Sequence, residues 1–205
     1  FFSQRVSRIQ PSPTISITAK AKKLKQEGKK IIDFSAGEPD FDTPDNVKNA
    51  AIKAIRDGQT KYTPVNGTKE LNEAIIKKFK RENDLIFEPD EITVGCGGKQ
   101  VIFNALLATI EKGDEIIIPS PFWVSYPDIV LLVEGHPIVL DCSLKNNFKI
   151  NPQDLENKIT NRTKWIILNS PSNPTGTFYN ELELQNLAKI LLKHPHVWVM
   201  CDDLY

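Results

Sequence analysis

Hydrophobic and polar positions follow two rhythms along this chain. Five short runs are apolar at nearly every position: "ITVG" (92–95), "EIIIP" (115–119), "PIVLD" (137–141), "WIILN" (165–169) and "VWVMC" (197–201). They are rich in β-branched residues, and their lack of alternation predicts strands covered by helices on both faces. Elsewhere apolar residues recur at the helical interval. In "TPDNVKNAAIKAIRDG" the repeat is Val47, Ala50, Ala51, Ala54 and Ile55. Thr43 is the predicted N-cap, Pro44 the first helical residue, and Gly58 lies just past the end. "ELNEAIIKKFKREN", "KQVIFNALLATIEKG", the amphipathic region after Trp123 and "ELELQNLAKILLKH" read as further helices. This alternation predicts an α/β domain on a mostly parallel sheet. Residues 1–41, with one helix and the apolar run "IIDFSAG", read as an N-terminal arm and part of a smaller domain. Residues 42–205 read as the large domain.

Composition narrows the partners. Lys plus Arg and Asp plus Glu both number 26 in 205 residues, so bulk charge offers no argument for nucleic acid or an anionic membrane. The lysines of "KAKKLKQEGKK" read as a solvated helix face. Cys96, Cys142 and Cys201 are scattered, with no CxxC spacing, which fits a reducing cytoplasm better than a disulfide framework. "FFSQRVSRIQPSP" has no secretory h-region. No apolar stretch reaches the roughly 18 residues that span a bilayer. The expectation is a soluble, cytoplasmic protein. His136, His194 and His196 show no metal-ligand spacing and read as loop residues.

Ligands of open parallel sheets collect at the C-terminal strand ends. After "ITVG" comes "CGGKQ", where Gly97 and Gly98 would leave N–H groups free at a helix N-terminus beside Lys99. The stretch is neither a Walker loop (position 93 is Thr and Gln follows Lys99) nor a dinucleotide fingerprint, since Gln100 stands where a small residue is needed. It reads as an anion cradle or as a plain tight turn. After "EIIIP", Trp123 is either core or a plate for a flat ring. After "WIILN", the two X-Pro bonds of "SPSNPTG" either make a turn or aim the Asn173 amide, with Asn173–Pro174 the expected cis bond. After "VWVMC", Asp202 is a helix cap or the acid that keeps a heterocyclic nitrogen protonated. Together, cradle, plate, amide and acid suit a phosphorylated aromatic heterocycle.

The ordered motifs "GEPDFDTP", "KYTPVNG", "GGKQ", "SPFWVSYP", "NSPSNPTG" and "CDDLY" resemble those of the class I aminotransferases, within the fold type I pyridoxal-phosphate family. The similarity covers the whole chain and is greatest to the bacterial subgroup that includes aspartate and prephenate aminotransferases. It implies the fold type I architecture and pyridoxal 5′-phosphate as cofactor. Gly98 and Lys99 would hold its phosphate, Trp123 would stack on the ring, and Asn173 and Tyr205 would contact the phenolic oxygen. Asp202 would pair with the ring nitrogen. Gly37, Trp123 and Asn173 would border the substrate. Tyr62 would reach the phosphate of a neighbouring subunit, implying a homodimer with shared sites. Cis prolines are implied at Pro121 and Pro174. The implied reaction is ping-pong transfer of the amino group of L-aspartate to 2-oxoglutarate, giving oxaloacetate and L-glutamate.

Two departures qualify this expectation. The family's Schiff-base lysine and its substrate-binding arginines lie beyond the motif that ends at Tyr205. The chain stops there, directly after a strand, so it reads as the N-terminal half of a longer protein. No catalytic residue is assigned within it, and by itself it is expected to be inactive. Relatives that act on prephenate often carry a basic residue before "PS" near the N-terminus; Gln10 stands there and counts against prephenate. The rival expectations are another amino acid substrate or a β-lyase of the same fold, and a non-enzymatic regulator that keeps the pyridoxal-phosphate fold. A regulator would normally bring a DNA-binding segment, and none is visible.

Overall fold

Three consecutive isoleucines, Ile116, Ile117 and Ile118, are fully buried. A strand buries three residues in a row only when it is covered on both faces, because successive side chains point to opposite sides. The computed structural model, which describes residues 1–9, 11–34, 37 and 39–205, places them there. In chain order the elements are α1 (Pro13–Gln26), α2 (Asp45–Arg56), α3 (Lys69–Asn83), α4 (Gly98–Thr109), β1 (Glu115–Ser120), α5 (Ser125–Leu132), β2 (His136–Asp141), α6 (Pro152–Lys158), β3 (Thr163–Asn169), α7 (Glu181–Leu191) and β4 (Trp198–Asp202). The chain divides into two units, Pro11–Gly95, and Phe1–Gln10 with Cys96–Tyr205.

The second unit holds the sheet. Its order is β2-β1-β3-β4 and every pairing is parallel, as the unbroken apolar runs predict. Ile116, Ile118 and Ile167 pack against Leu106 of α4 and Ile129 and Val130 of α5. Ile117 and Ile166 face the other way, onto Leu155 of α6 and Leu187 of α7. From β1 the chain passes through α5 to β2 on one side. It then returns past β1 to β3 and moves on through α7 to β4. Opposite directions of travel with helices on opposite faces keep every crossover right-handed. Strand order therefore reverses between β1 and β3, and a crevice opens at their C-terminal ends.

A buried charge pins the opposite end of the sheet. Glu115 is 3% exposed. It accepts hydrogen bonds from Arg162 (2.9 and 2.6 Å) and from the Thr160 hydroxyl (2.5 Å). Those bonds, led by the one from Thr160, hold its carboxyl below the usual carboxylate range.

In the Pro11–Gly95 unit the lysines of α1 are solvent-exposed, as their spacing predicts. Several local expectations change. Residues 92–95 form no strand: the Val94 N–H bonds Asn66 O at 3.1 Å, and no described strand pairs with the segment. Pro44, not Thr43, occupies the N-cap of α2. No residue of α2 is buried, so its apolar stripe faces solvent among the described residues. The apolar run "IIDFSAG" lies partly outside the described residues. In the sheet unit, His136 opens β2 instead of lying in a loop. No helix among the described residues is long and apolar enough to cross a membrane.

Candidate functional site

The crevice at the β1/β3 switch point is lined by Pro121, Tyr126, Asn169, Asn173 and Tyr179, among others. The segments leaving β1 and β3 build most of it, and each is shaped by its local sequence. After β1, the Ser120–Pro121 bond is cis. The chain then enters α5 with Trp123 half-buried against the core. After β3, both proline bonds of "SPSNPTG" are cis, Ser170–Pro171 and Asn173–Pro174. The loop closes on itself through Gly176 N–H to Ser172 O (2.7 Å) and Ser172 N–H to Thr177 O (2.9 Å). It is anchored downstream by the Tyr179 N–H on Ser170 Oγ (3.1 Å), while the Tyr179 hydroxyl accepts from the Ile150 N–H (2.9 Å). Burial pushes the Tyr179 phenol up to about 12.

Within this unit Lys99, Trp123, Asp202, Asn173 and Tyr205 are joined through Tyr126 and Asn169 into one chain of contacts. Lys99 Nζ lies 5.0 Å from the centroid of the Trp123 ring. Trp123 meets Tyr126 edge to face, with centroids 5.4 Å apart. The Tyr126 hydroxyl donates to Asp202 Oδ2 (2.5 Å). The Asp202 carbonyl accepts from Asn169 Nδ2 (2.7 Å), and Asn169 Oδ1 accepts from the Asn173 N–H (2.7 Å). Finally Asn173 Nδ2 donates to the Tyr205 hydroxyl (3.3 Å). Burial, and then the bond to Asp202, raise the Tyr126 phenol far above its ordinary value. Both effects favour the protonated phenol that donates to Asp202. Gly37 and Tyr62 belong to the other unit, and both are exposed.

The "CGGKQ" turn leaves an uncapped helix start with open space around it. Gly97 is the N-cap of α4 at φ +89°, a conformation other residues adopt only with strain. No side chain at that position caps the helix, so the first-turn N–H groups of Gly98 and Lys99 are orphaned by position. Nothing stands within 4 Å of where a Cβ would sit on either glycine. Gln100, which breaks the dinucleotide pattern, turns back so that its Oε1 accepts the Cys96 N–H (2.5 Å) and steadies the turn. An open N–H cradle with a lysine suits a phosphate dianion; an aromatic plate, an amide and an acid suit a flat heterocycle with a basic nitrogen. The residues present fit such a group.

Three contributors were not singled out from the sequence. Tyr126 was visible only as part of "SPFWVSYP". Asn169 read as the polar end of an apolar strand, which was its one signal. The cis bond at Pro171 had no local mark that set it apart from an ordinary X-Pro.

Comparison with known proteins bears on the family and the fold. The family model described as "Aminotransferase class I and II" matches residues 29–205. The aspartate/prephenate aminotransferase of Nitrosomonas europaea is 58% identical over 203 residues, which are 99% of this chain and 51% of that protein. The aspartate/prephenate aminotransferase of Cereibacter sphaeroides is 54% identical, over 100% of this chain and 51% of its own length. Among solved structures, the aspartate aminotransferase of Rhizobium meliloti superposes with a TM-score of 0.96 at 50% identity, covering all of this chain and 51% of that one. The aspartate aminotransferase of Thermus thermophilus with maleate gives 0.96 at 41%, covering 53% of that chain. The chain thus spans about half the length of the curated relatives it matches.

Proposed function

Because this chain belongs to the class I and II aminotransferases, a pyridoxal-phosphate-dependent family of fold type I, we propose that it supplies the side of a transamination site that grips the cofactor ring and phosphate. The observation that carries this is the unbroken contact chain from Lys99 to Tyr205 across the strand ends.

Each group has a physical task. The first-turn N–H groups of α4 at Gly98 and Lys99, with the Lys99 ammonium, hold the phosphate. Trp123 covers one face of the ring. Asn173 and Tyr205 direct hydrogen-bond donors at its phenolic oxygen. Asp202 keeps a proton on its nitrogen, and the Tyr126 hydroxyl keeps that carboxylate turned to the task. When bound, the cofactor supplies a carbonyl that takes up the amino group and a protonated ring that accepts electron density. Gly37 lets a substrate carboxylate approach the backbone, and Tyr62 reaches the phosphate held by a second subunit in a homodimer.

The proposed reaction moves the amino group of L-aspartate to 2-oxoglutarate in two half-reactions. Support comes from relatives named aspartate aminotransferases, and from one of them being held with maleate, a dicarboxylate. A second acceptor, prephenate, is favoured by the double name of other relatives. Gln10, which argues against prephenate, lies outside the described residues. The test is a titration of the complete gene product with pyridoxal 5′-phosphate, followed by coupled assays with aspartate and with prephenate. Asp202→Ala is expected to weaken cofactor retention and abolish transfer. Wild-type activity in Asp202→Ala would overturn the assignment.

A further inference from the structure

We propose that Asn169 is a positioning residue that sets the spacing and tilt between Asn173 and Asp202, the groups assigned above to opposite edges of the cofactor ring. The inference rests on that assignment.

Asn169 ends β3, and its partner in the parallel ladder is Asp202, the last residue of β4. The ladder stops at this pair, so strand pairing does not extend to whatever follows. The Asn169 carboxamide continues the connection. Its Nδ2 donates to the Asp202 carbonyl and its Oδ1 accepts the Asn173 N–H, both at 2.7 Å. These are at the short end of the N–H···O range. One planar amide thus ties the backbones of both ring contacts to a single rigid frame.

A pyridine ring has no internal freedom with which to absorb a misplaced partner. Its nitrogen and its phenolic oxygen are a fixed distance apart, so donor and acid must be held at a matching separation. Asparagine alone meets the requirement at this length. Aspartate would place an acceptor against the Asp202 carbonyl, glutamine would reach too far, and leucine would offer neither group. Each polar atom of Asn169 bonds a backbone group, so its hold on Asn173 and Asp202 runs through their backbones.

The experiment compares the affinity of the complete gene product for pyridoxamine 5′-phosphate and for its analogue lacking the ring hydroxyl, by calorimetry. The ratio of the two affinities reports how well Asn173 is aimed. Asn169→Ala and the volume-matched Asn169→Leu are expected to lower that ratio roughly fivefold to tenfold, the loss of about one directed hydrogen bond. Asn173→Ala should lower it by a similar factor. Asn169→Ala combined with Asn173→Ala should lower it no further, because the two act as one unit. A purely structural role for Asn169 would weaken both ligands equally and leave the ratio unchanged; that result overturns the proposal. A wild-type protein that does not distinguish the two ligands, or an Asn173→Ala variant that keeps the wild-type ratio, instead removes the ring assignment, and the proposal with it.

Discussion

The Tyr126 hydroxyl donates to Asp202 Oδ2 at 2.5 Å, joining residues 76 positions apart in the chain. It is the one described side-chain bond to that carboxylate, and it comes from a tyrosine that is 2% exposed. A buried phenol with a single acidic partner is a rigid orienting device, because neither group has a better place to go.

Tyr126→Phe removes the donor and leaves the carboxylate free to rotate. The expected cost is about 1 kcal/mol of stability and a several-fold loss of cofactor affinity. Since the folded-state pKa of Tyr126 is raised, its stabilising contribution is complete below the ordinary phenol value near ~10 and declines as pH rises past it. Urea unfolding at a series of alkaline pH values should show a shallower decline for Tyr126→Phe than for wild type.

Gly98 stands in open space, so a side chain can be added there without a clash. Gly98→Asp places a negative charge in the cradle and should weaken binding of pyridoxal 5′-phosphate by at least tenfold, with little change in thermal unfolding. Lys99→Ala should weaken it less at high salt than at low salt, because the lysine is exposed and its field is screened. Equilibrium dialysis at two ionic strengths checks both.

Glu115→Gln at the opposite end of the sheet should cost roughly 1 kcal/mol, kept small because its partner Arg162 is 70% exposed and water shares the charge. The lowered pKa of Glu115 stabilises the fold at and above the ordinary carboxylate range, and that contribution is lost as pH falls through the folded-state value. Acid titration followed by circular dichroism should therefore show a smaller pH dependence for Glu115→Gln. Glu115 opens β1, whereas the ring contacts after β1, β3 and β4 lie at the other end of the strands, and cofactor affinity at neutral pH should not change.

Tyr179→Phe leaves the Ile150 N–H without its acceptor. The expected loss is about 1 kcal/mol at neutral pH. In wild type, the phenol raised to about 12 stabilises the fold below pH ~10 and ceases to do so between ~10 and 12. The variant should lack that alkaline phase in a fluorescence-monitored unfolding series.

The four sheet strands were legible because each is a short apolar run with β-branched residues; burial on both faces accounts for that in β1, whereas β2 and β4, at the sheet edges, keep several of those residues exposed. The segment at 92–95 has the same composition and is not a strand, because pairing needs a neighbour and composition does not supply one. The helix over 45–56 was legible from its period, yet its apolar stripe is uncovered. Periodicity reports which face is apolar, not what lies against it. Among candidate site residues, Asn173 and Asp202 drew notice because polar groups directly after apolar runs stand out. Tyr126 escaped because an aromatic on an apolar helix reads as core, which it also is.

The sequence by itself determined that the chain forms a parallel α/β sheet, that a glycine turn with a lysine, an aromatic, an amide and an acid each follow an apolar run, and that these motifs resemble one family in unbroken order. Local composition and spacing suffice for that, since strand, helix and turn preferences are encoded within a few residues. Only the tertiary structure decided that the order reverses between β1 and β3, that Tyr126 orients Asp202, and that Asn169 ties Asp202 to Asn173. Those relationships join residues brought together by crossovers, and hydrogen bonds reaching only about 3 Å cannot be read from positions dozens of residues apart.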